Sequence, residues 1–218
     1  MPGTVTEEIE IMDAGHGETP SPPAGGDDDG GSGGGGAAAV PRRAYFTAIS
    51  LGLAAILMFF MALTSSYIVR KGLGGDWKPV RLPGILWLNT LVLLASSASI
   101  EAARRKHSEG ETEAFRSWWA LTTGLGIVFL VGQLVAWRQL AAGGIFLATN
   151  PASSFFYLLT AAHGLHLLGG IVALFYVPFR AWHRSRITQS TAAELTSIYW
   201  HFMDGLWVFL FLLLNLGR

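Results

Sequence analysis

Residues 45–69 read YFTAISLGLAAILMFFMALTSSYIV, without one acidic or basic side chain, flanked by Arg42-Arg43 before and Arg70-Lys71 after. Wound into a helix, the stretch is about 37 Å long, enough to cross the roughly 30 Å of a bilayer's hydrocarbon. Four further stretches, at about 84–103, 118–140, 155–177 and 195–216, repeat the pattern, each bounded by Arg or Lys, Pro, or Trp and Tyr. The spacing predicts an all-α, polytopic membrane protein: a bundle of five transmembrane helices over residues 42–218, preceded by a disordered N-terminal tail.

The composition agrees. Charged residues are 14% of the chain and apolar residues 51%, where an ordinary soluble chain carries about 25% charged. Eleven of the 27 glycines and eight of the 15 acidic residues lie in residues 1–40, which hold no Lys or Arg. Residues 1–41 therefore read as an acidic, Gly-rich tail with too little apolar surface to offset the entropy of ordering it. Its acidic, polar start lacks the basic and apolar regions of a cleavable signal, so the first span is expected to direct insertion. The remainder carries all 15 basic residues against seven acidic ones. Because they are scattered between apolar runs, they suit lipid headgroups and not nucleic acid. The chain has no cysteine, which excludes disulfides, iron–sulfur clusters, thiolate zinc, CxxCH haem attachment and any copper site with a Cys ligand.

Five spans put the two termini on opposite sides. Arg42, Arg43, Arg104, Arg105, Lys106, Arg116, Arg180, Arg184 and Arg186 fall on the N-terminal side, and Arg70, Lys71, Lys78, Arg81, Arg138 and Arg218 on the other. Nine against six favours a cytoplasmic N-terminus. Trp77, Trp87, Trp118, Trp119, Trp137 and Trp182 lie near span ends, as in an interfacial aromatic belt, and Pro178 is expected to end the fourth helix. Small residues within the spans, such as Ala95-Ser96-Ser97-Ala98-Ser99, Gly124, Gly126, Gly169 and Gly170, permit close helix packing.

Polar groups at mid-membrane depth need a reason to be there. His163 and His166 share a face of the fourth span, as do His201 and Asp204 of the fifth, and antiparallel packing gives the two pairs a common depth. With Trp200 they form a candidate intramembrane polar cluster, structural or lipid-associated. One haem held between two histidines, or a proton relay through His and Asp, are the alternatives. Asn89 and Gln133 read as helix-packing amides, and Ser96, Ser97 and Ser99 as donors to carbonyls one turn back or on the next helix. Glu101 has Arg104 and Arg105 one turn on and is expected to pair with them. His107 and His183 fall among arginines in loops. Gly33–Gly36 lacks the Lys-Ser/Thr of a phosphate loop. No nucleophile–base pair, carboxylate pair or metal set is legible, so catalytic, cofactor-binding and metal residues are all expected to be absent.

Three segments then resemble one family, in order. YWHFMDGLWVFLF at 199–211 is similar to the closing motif YWHFxDxxWxFLF of haem-copper oxidase subunit III, the cytochrome c oxidase subunit 3 family. Phe155-Phe156, Thr160-Ala161-Ala162-His163-Gly164-Leu165-His166 and Gly169-Gly170 resemble its FF…T…HGLHV..G segment. The run LNTLVLLASS at 88–97 resembles its LNTxxLLxSS segment. The resemblance spans 45–216 and implies the bacterial five-helix form: an accessory, non-catalytic subunit of a terminal oxidase in the plasma (inner) membrane, with no haem or metal of its own. It further implies bound phospholipid, catalytic subunit I and subunit II as partners, haem and copper in the partner, and support of proton uptake in aerobic electron transport. Two positions depart from the family. Ile56 replaces an acidic residue in the first span and Ala136 a Glu after Gln133, both of which count against a relay. An accessory protein of a nitric oxide reductase and a small b-type cytochrome are the alternatives.

Overall fold

The computed structural model describes residues 41–73, 75, 77–181 and 186–217, the side chains of 179–181 and 186–189 excepted. The expectations for the tail at 1–40, and for Trp182, His183, Arg184 and Arg218, lie outside the described residues. Five helices follow one another: α1 (Arg42–Leu73), α2 (Ile85–Ser108), α3 (Thr112–Ala142), α4 (Pro151–Ala181) and α5 (Arg186–Leu216). All five are long and apolar enough to cross a membrane. They overrun the spans read from hydropathy because a helix does not stop where the hydrocarbon does; the last turns carry Arg70 and Lys71 in α1 and Arg105 to His107 in α2, favourable company for a helix C-terminus.

Each of α2 to α5 buries one stripe at three- and four-residue spacing. In α2 it runs through Leu86, Asn89, Leu93, Ser96, Ile100 and Ala103, and in α5 through Trp200, Met203, Trp207, Leu210 and Leu214. These stripes close a ring in which α2 packs on α3, α3 on α4, α4 on α5 and α5 back on α2. Helix α1 stands outside it; among the described residues it packs on α4 and α5 alone and buries only Phe60, Thr64 and Tyr67. The outward surface is apolar, with Leu51, Met58, Leu91, Leu165 and Val172 all more than half exposed, as a lipid solvent allows.

Turn chemistry sets the joints. Gly110, at φ 82°, lies in the tight α2–α3 turn, and Gly144, at φ 75°, follows α3; both are left-handed positions that suit glycine. At the start of α4, the Ser153 backbone N–H donates to Asn150 Oδ1 at 3.0 Å and the Asn150 N–H to Ser153 Oγ at 3.1 Å. This reciprocal cap has Pro151 at the first helical position. Between α1 and α2 the chain lays Trp77 and Val80 over the bundle end, Trp77 meeting Tyr67 edge-on at 5.2 Å. Arg42 pairs with Glu194 at 2.6 Å and ties α1 to α5 at the other end.

Close approach explains two glycines. A Cβ on Gly126 of α3 would lie 2.7 Å from the Trp200 ring, and one on Gly132 would overlap the Asn89 side chain. Small residues at these points let α3 lie against the α5 indole and the α2 amide.

Pro178 does not end α4, which continues through it to Ala181. A helix-interior proline has no N–H for the carbonyl four residues back, here Leu174. The Trp119 indole supplies the missing donor from α3, its Nε1–H meeting the Leu174 oxygen at 2.8 Å. Trp119 is therefore buried in the bundle, not part of the interfacial belt. We expect Trp119→Phe to destabilise the protein by about 1–2 kcal/mol, the cost of orphaning a buried carbonyl. In a Pro178→Ala background, where the backbone provides the donor, the same change is expected to cost about half as much or less. A thermal-melt double-mutant cycle in detergent checks this.

Candidate functional site: the buried polar seam

The polar residues singled out in the sequence are carried by the ring's buried stripes, distributed over separate interfaces. On the α2–α5 interface, Trp200 Nε1–H donates to Ser96 Oγ at 3.0 Å, Ser97 Oγ lies 2.6 Å from His201 Nδ1, and Trp207 Nε1–H donates to Thr90 Oγ1 at 3.1 Å. These bonds keep one antiparallel register: seven residues along α5, from Trp200 to Trp207, answer six along α2, from Ser96 to Thr90. The acceptors are themselves anchored, since Ser96 donates to the Leu93 carbonyl at 2.6 Å and Thr90 to the Leu86 carbonyl at 2.8 Å. Each indole thus buries a large apolar ring and satisfies its one donor at the same contact.

His163 and His166 share α4 but face different neighbours. His163 is fully buried, its ring 5.9 Å from Phe129 and 5.0 Å from Trp207, and neither nitrogen has a hydrogen-bond partner. His166 turns toward α1, its ring 5.6 Å from Phe60 and 6.0 Å from Phe59. Its Nδ1 lies 2.7 Å from the Ala162 carbonyl, which only accepts, so Nδ1 carries the proton. Tyr199 OH donates to the His166 carbonyl at 2.8 Å and ties α5 to α4.

Asp204 is 3% exposed, and neither carboxyl oxygen has a hydrogen-bond partner. Among the described residues no hydrogen bond or ion pair joins any two of His163, His166, His201 and Asp204. What links the helices is a set of bonds from these or adjacent positions to hydroxyls and carbonyls of other helices. The three span histidines face three interfaces, so no two are opposed as a haem's axial pair requires. Among the described residues no group of three or more His, Asp or Glu is placed to hold a metal ion.

Asn89 and Gln133 are buried on facing helices α2 and α3, with Asn89 Nδ2 and both Gln133 side-chain polar atoms without partners. Ser99 Oγ donates to the Trp118 carbonyl and receives the Thr122 hydroxyl, each at 3.0 Å, closing the α2–α3 interface. Glu101 pairs with Arg104 at 3.2 Å and Arg105 at 3.4 Å at the membrane edge.

Sequence reading missed the acceptor roles of Thr90 and Leu174. It also missed a groove of about 870 Å³ at the C-terminal end of α1, lined in part by Ser66, Val69, Arg70, Asn150 and Phe155. The seven-residue spacing of Trp200 and Trp207 was the available signal for the seam, since it puts both indoles on one helix face.

This architecture defines an all-helical, multi-pass membrane protein whose polar groups are spent largely on holding helices together. The family model described as cytochrome c oxidase subunit III matches residues 45–216, which is the whole bundle. The chain is 35% identical over 165 residues to the probable cytochrome c oxidase subunit 3 of Mycobacterium tuberculosis (strain ATCC 25618 / H37Rv), covering 73% of this chain and 81% of that protein. It is 31% identical over 174 residues to cytochrome c oxidase subunit 3 of Synechocystis sp. (strain ATCC 27184 / PCC 6803 / Kazusa), covering 75% and 72%. The chain belongs to the cytochrome c oxidase subunit III family.

Replacing Trp207 by Phe and Thr90 by Val, singly and together, isolates one bond of the seam. The coupling is expected near 0.6 kcal/mol and no larger than about 1.7, the range found for intramembrane hydrogen bonds. Reversible unfolding in mixed micelles reads it.

Proposed function

We propose that this chain is the non-catalytic accessory subunit of a bacterial haem-copper terminal oxidase. It stabilises the catalytic subunit, holds phospholipid and supports proton uptake during aerobic electron transport. The observation that carries the reading is the family match, which runs through all five of the described helices. Haem and copper belong to the partner in this reading, and the partners are catalytic subunit I and subunit II. The chain lies in the plasma membrane with its N-terminus cytoplasmic, an orientation supported by the nine-to-six excess of basic residues.

The phospholipid is assigned to the groove between the outer end of α1 and the start of α4. Arg70 and the Ser65 hydroxyl suit a phosphate headgroup there, while Val69, Leu73 and Phe155 suit the start of an acyl chain.

Copurification from membranes in mild detergent tests both parts. The tagged full-length chain is expected to bring down oxidase subunits I and II together with tightly held phospholipid. Arg70→Gln is expected to reduce that lipid severalfold while subunits I and II stay. Recovery with nitric oxide reductase chains, or alone with a haem spectrum, contradicts the proposal.

A further inference from the structure

The two ends of the bundle use their charges differently. At the end with the start of α1, the α2–α3 turn and the α4–α5 connection, nine basic residues stand against Glu101, Glu109, Glu111, Glu113 and Glu194. Every ion pair between two described residues lies there, among them Arg42 with Glu194 at 2.6 Å and Lys106 with Glu109 at 2.8 Å. The opposite end has, by sequence position, Arg70, Lys71, Lys78, Arg81, Arg138 and Arg218 against the single acidic residue Asp76. Lys71, Lys78, Arg81 and Arg138 join no ion pair among the described residues.

Placement sets two of these cations apart. The segment from Trp77 to Gly84 crosses the bundle end on its way from α1 to α2. It is held down by Trp77, whose ring meets Tyr67 at 5.2 Å and Phe155 at 6.5 Å, and by Val80, which is 8% exposed. Pro79, Val80 and Leu82 line one small cavity together with Tyr67 of α1, Phe156 of α4 and Leu214 of α5, so the segment covers three helix ends. Between these anchors Lys78 and Arg81 are exposed. Three residues of extended chain separate their backbones by at most about 11 Å, comparable with the Debye length of roughly 8 Å at physiological salt. The two charges therefore act on one ligand together, and the anchors lower the entropy lost when it binds.

The position of the segment decides which kind of anion it meets. Lipid headgroups surround a bundle, and Arg70, Lys71 and Arg138, carried on helices, face them at its rim. Lys78 and Arg81 are carried on a segment laid over protein. An anionic surface approaching along the bundle axis from water meets these two first.

We propose that this end of the bundle is a docking surface for an acidic face of an extramembrane protein domain. Arg81 grips a carboxylate with its planar, two-pronged guanidinium, and Lys78 supplies a second point charge. The unbalanced positive charge of the whole end steers the partner in, and the anchored segment gives it a fixed pair of cations to match. The partner is defined by its acidic surface and by its place outside the bilayer, on the side away from the start of α1. This goes beyond the accessory role proposed above, and it holds or fails whichever complex the bundle joins.

A photo-cross-linking amino acid placed at Pro79, between the two cations, tests it on the full-length chain in native membranes. Illumination is expected to join the chain to a protein at a peptide rich in Asp and Glu, identified by mass spectrometry. Raising NaCl from about 0.05 to 0.5 M beforehand is expected to cut the yield about fivefold or more. Lys78→Gln with Arg81→Gln is expected to cut it as far at low salt. Arg104→Gln with Arg105→Gln removes the same charge from the other end and is expected to leave it unchanged. Trp77, Val80 and Leu82 stay in place throughout, so the segment keeps its anchors. Adducts with phospholipid alone, no adduct at all, or an adduct to a peptide without acidic residues overturns the proposal. So does a yield indifferent to salt or to the Lys78 and Arg81 changes, or an equal loss from the Arg104 and Arg105 changes, which would trace the effect to bulk charge.

Discussion

An N–H group inside a bilayer has no water to donate to, and this constraint orders the structure around four tryptophans. Trp119 donates to the Leu174 carbonyl, Trp137 to Thr160 Oγ1, Trp200 to Ser96 Oγ and Trp207 to Thr90 Oγ1. Every one of these acceptors lies on a neighbouring helix. Two bonds close the α3–α4 interface and two the α2–α5 interface, while Tyr199 bridges α4 to α5 and Ser99 bridges α2 to α3. Each contact of the ring thus has a directional bond inside its apolar packing. Lipid competes with a helix for dispersion contacts but not for such bonds, so the bonds choose the neighbours and the apolar stripes fill in around them.

The same logic explains why α1 differs. It contains the most apolar membrane-length stretch of the five and carries few buried polar groups, so little holds it in the ring. It is attached at its two ends and once in the middle, through Arg42 with Glu194, Tyr67 with Trp77 and Phe155, and Phe60 with the His166 ring. Standing off the bundle, it leaves the groove beside Arg70 at its C-terminal end. A helix placed in this way presents most of its length to lipid or to another protein chain.

How much was legible in the sequence follows from what each signal measures. Hydropathy found all five helices, because the length of an apolar run is a local property; it set their ends too short, because helices continue into the interface with Arg70, Lys71 and Arg105. Helical spacing put His163 with His166 and His201 with Asp204 on shared faces. It did not say which helix each face meets, and a separation of three residues turns a side chain by about 60°. That rotation sends His163 to Phe129 and Trp207 but His166 to Phe59 and Phe60, and it splits what sequence reading drew as one cluster. Trp119 was misread for a related reason. Position near a span end suits an interfacial belt and an inward clamp equally, and the deciding fact, the orphaned Leu174 carbonyl beneath Pro178, concerns another helix.

The α2–α5 seam completes the ring and carries both the Trp200 and Trp207 bonds, so its register is the claim on which the account rests. The chain contains no cysteine, which makes paired cysteines a clean probe in native membranes. A Ser97→Cys, His201→Cys pair replaces two side chains now in direct contact and is expected to cross-link readily under mild oxidation. A Leu91→Cys, His201→Cys pair, with Leu91 on the outward face of α2, is expected to stay uncoupled. Equal cross-linking of the two pairs, or none at Ser97 and His201, would contradict the seam.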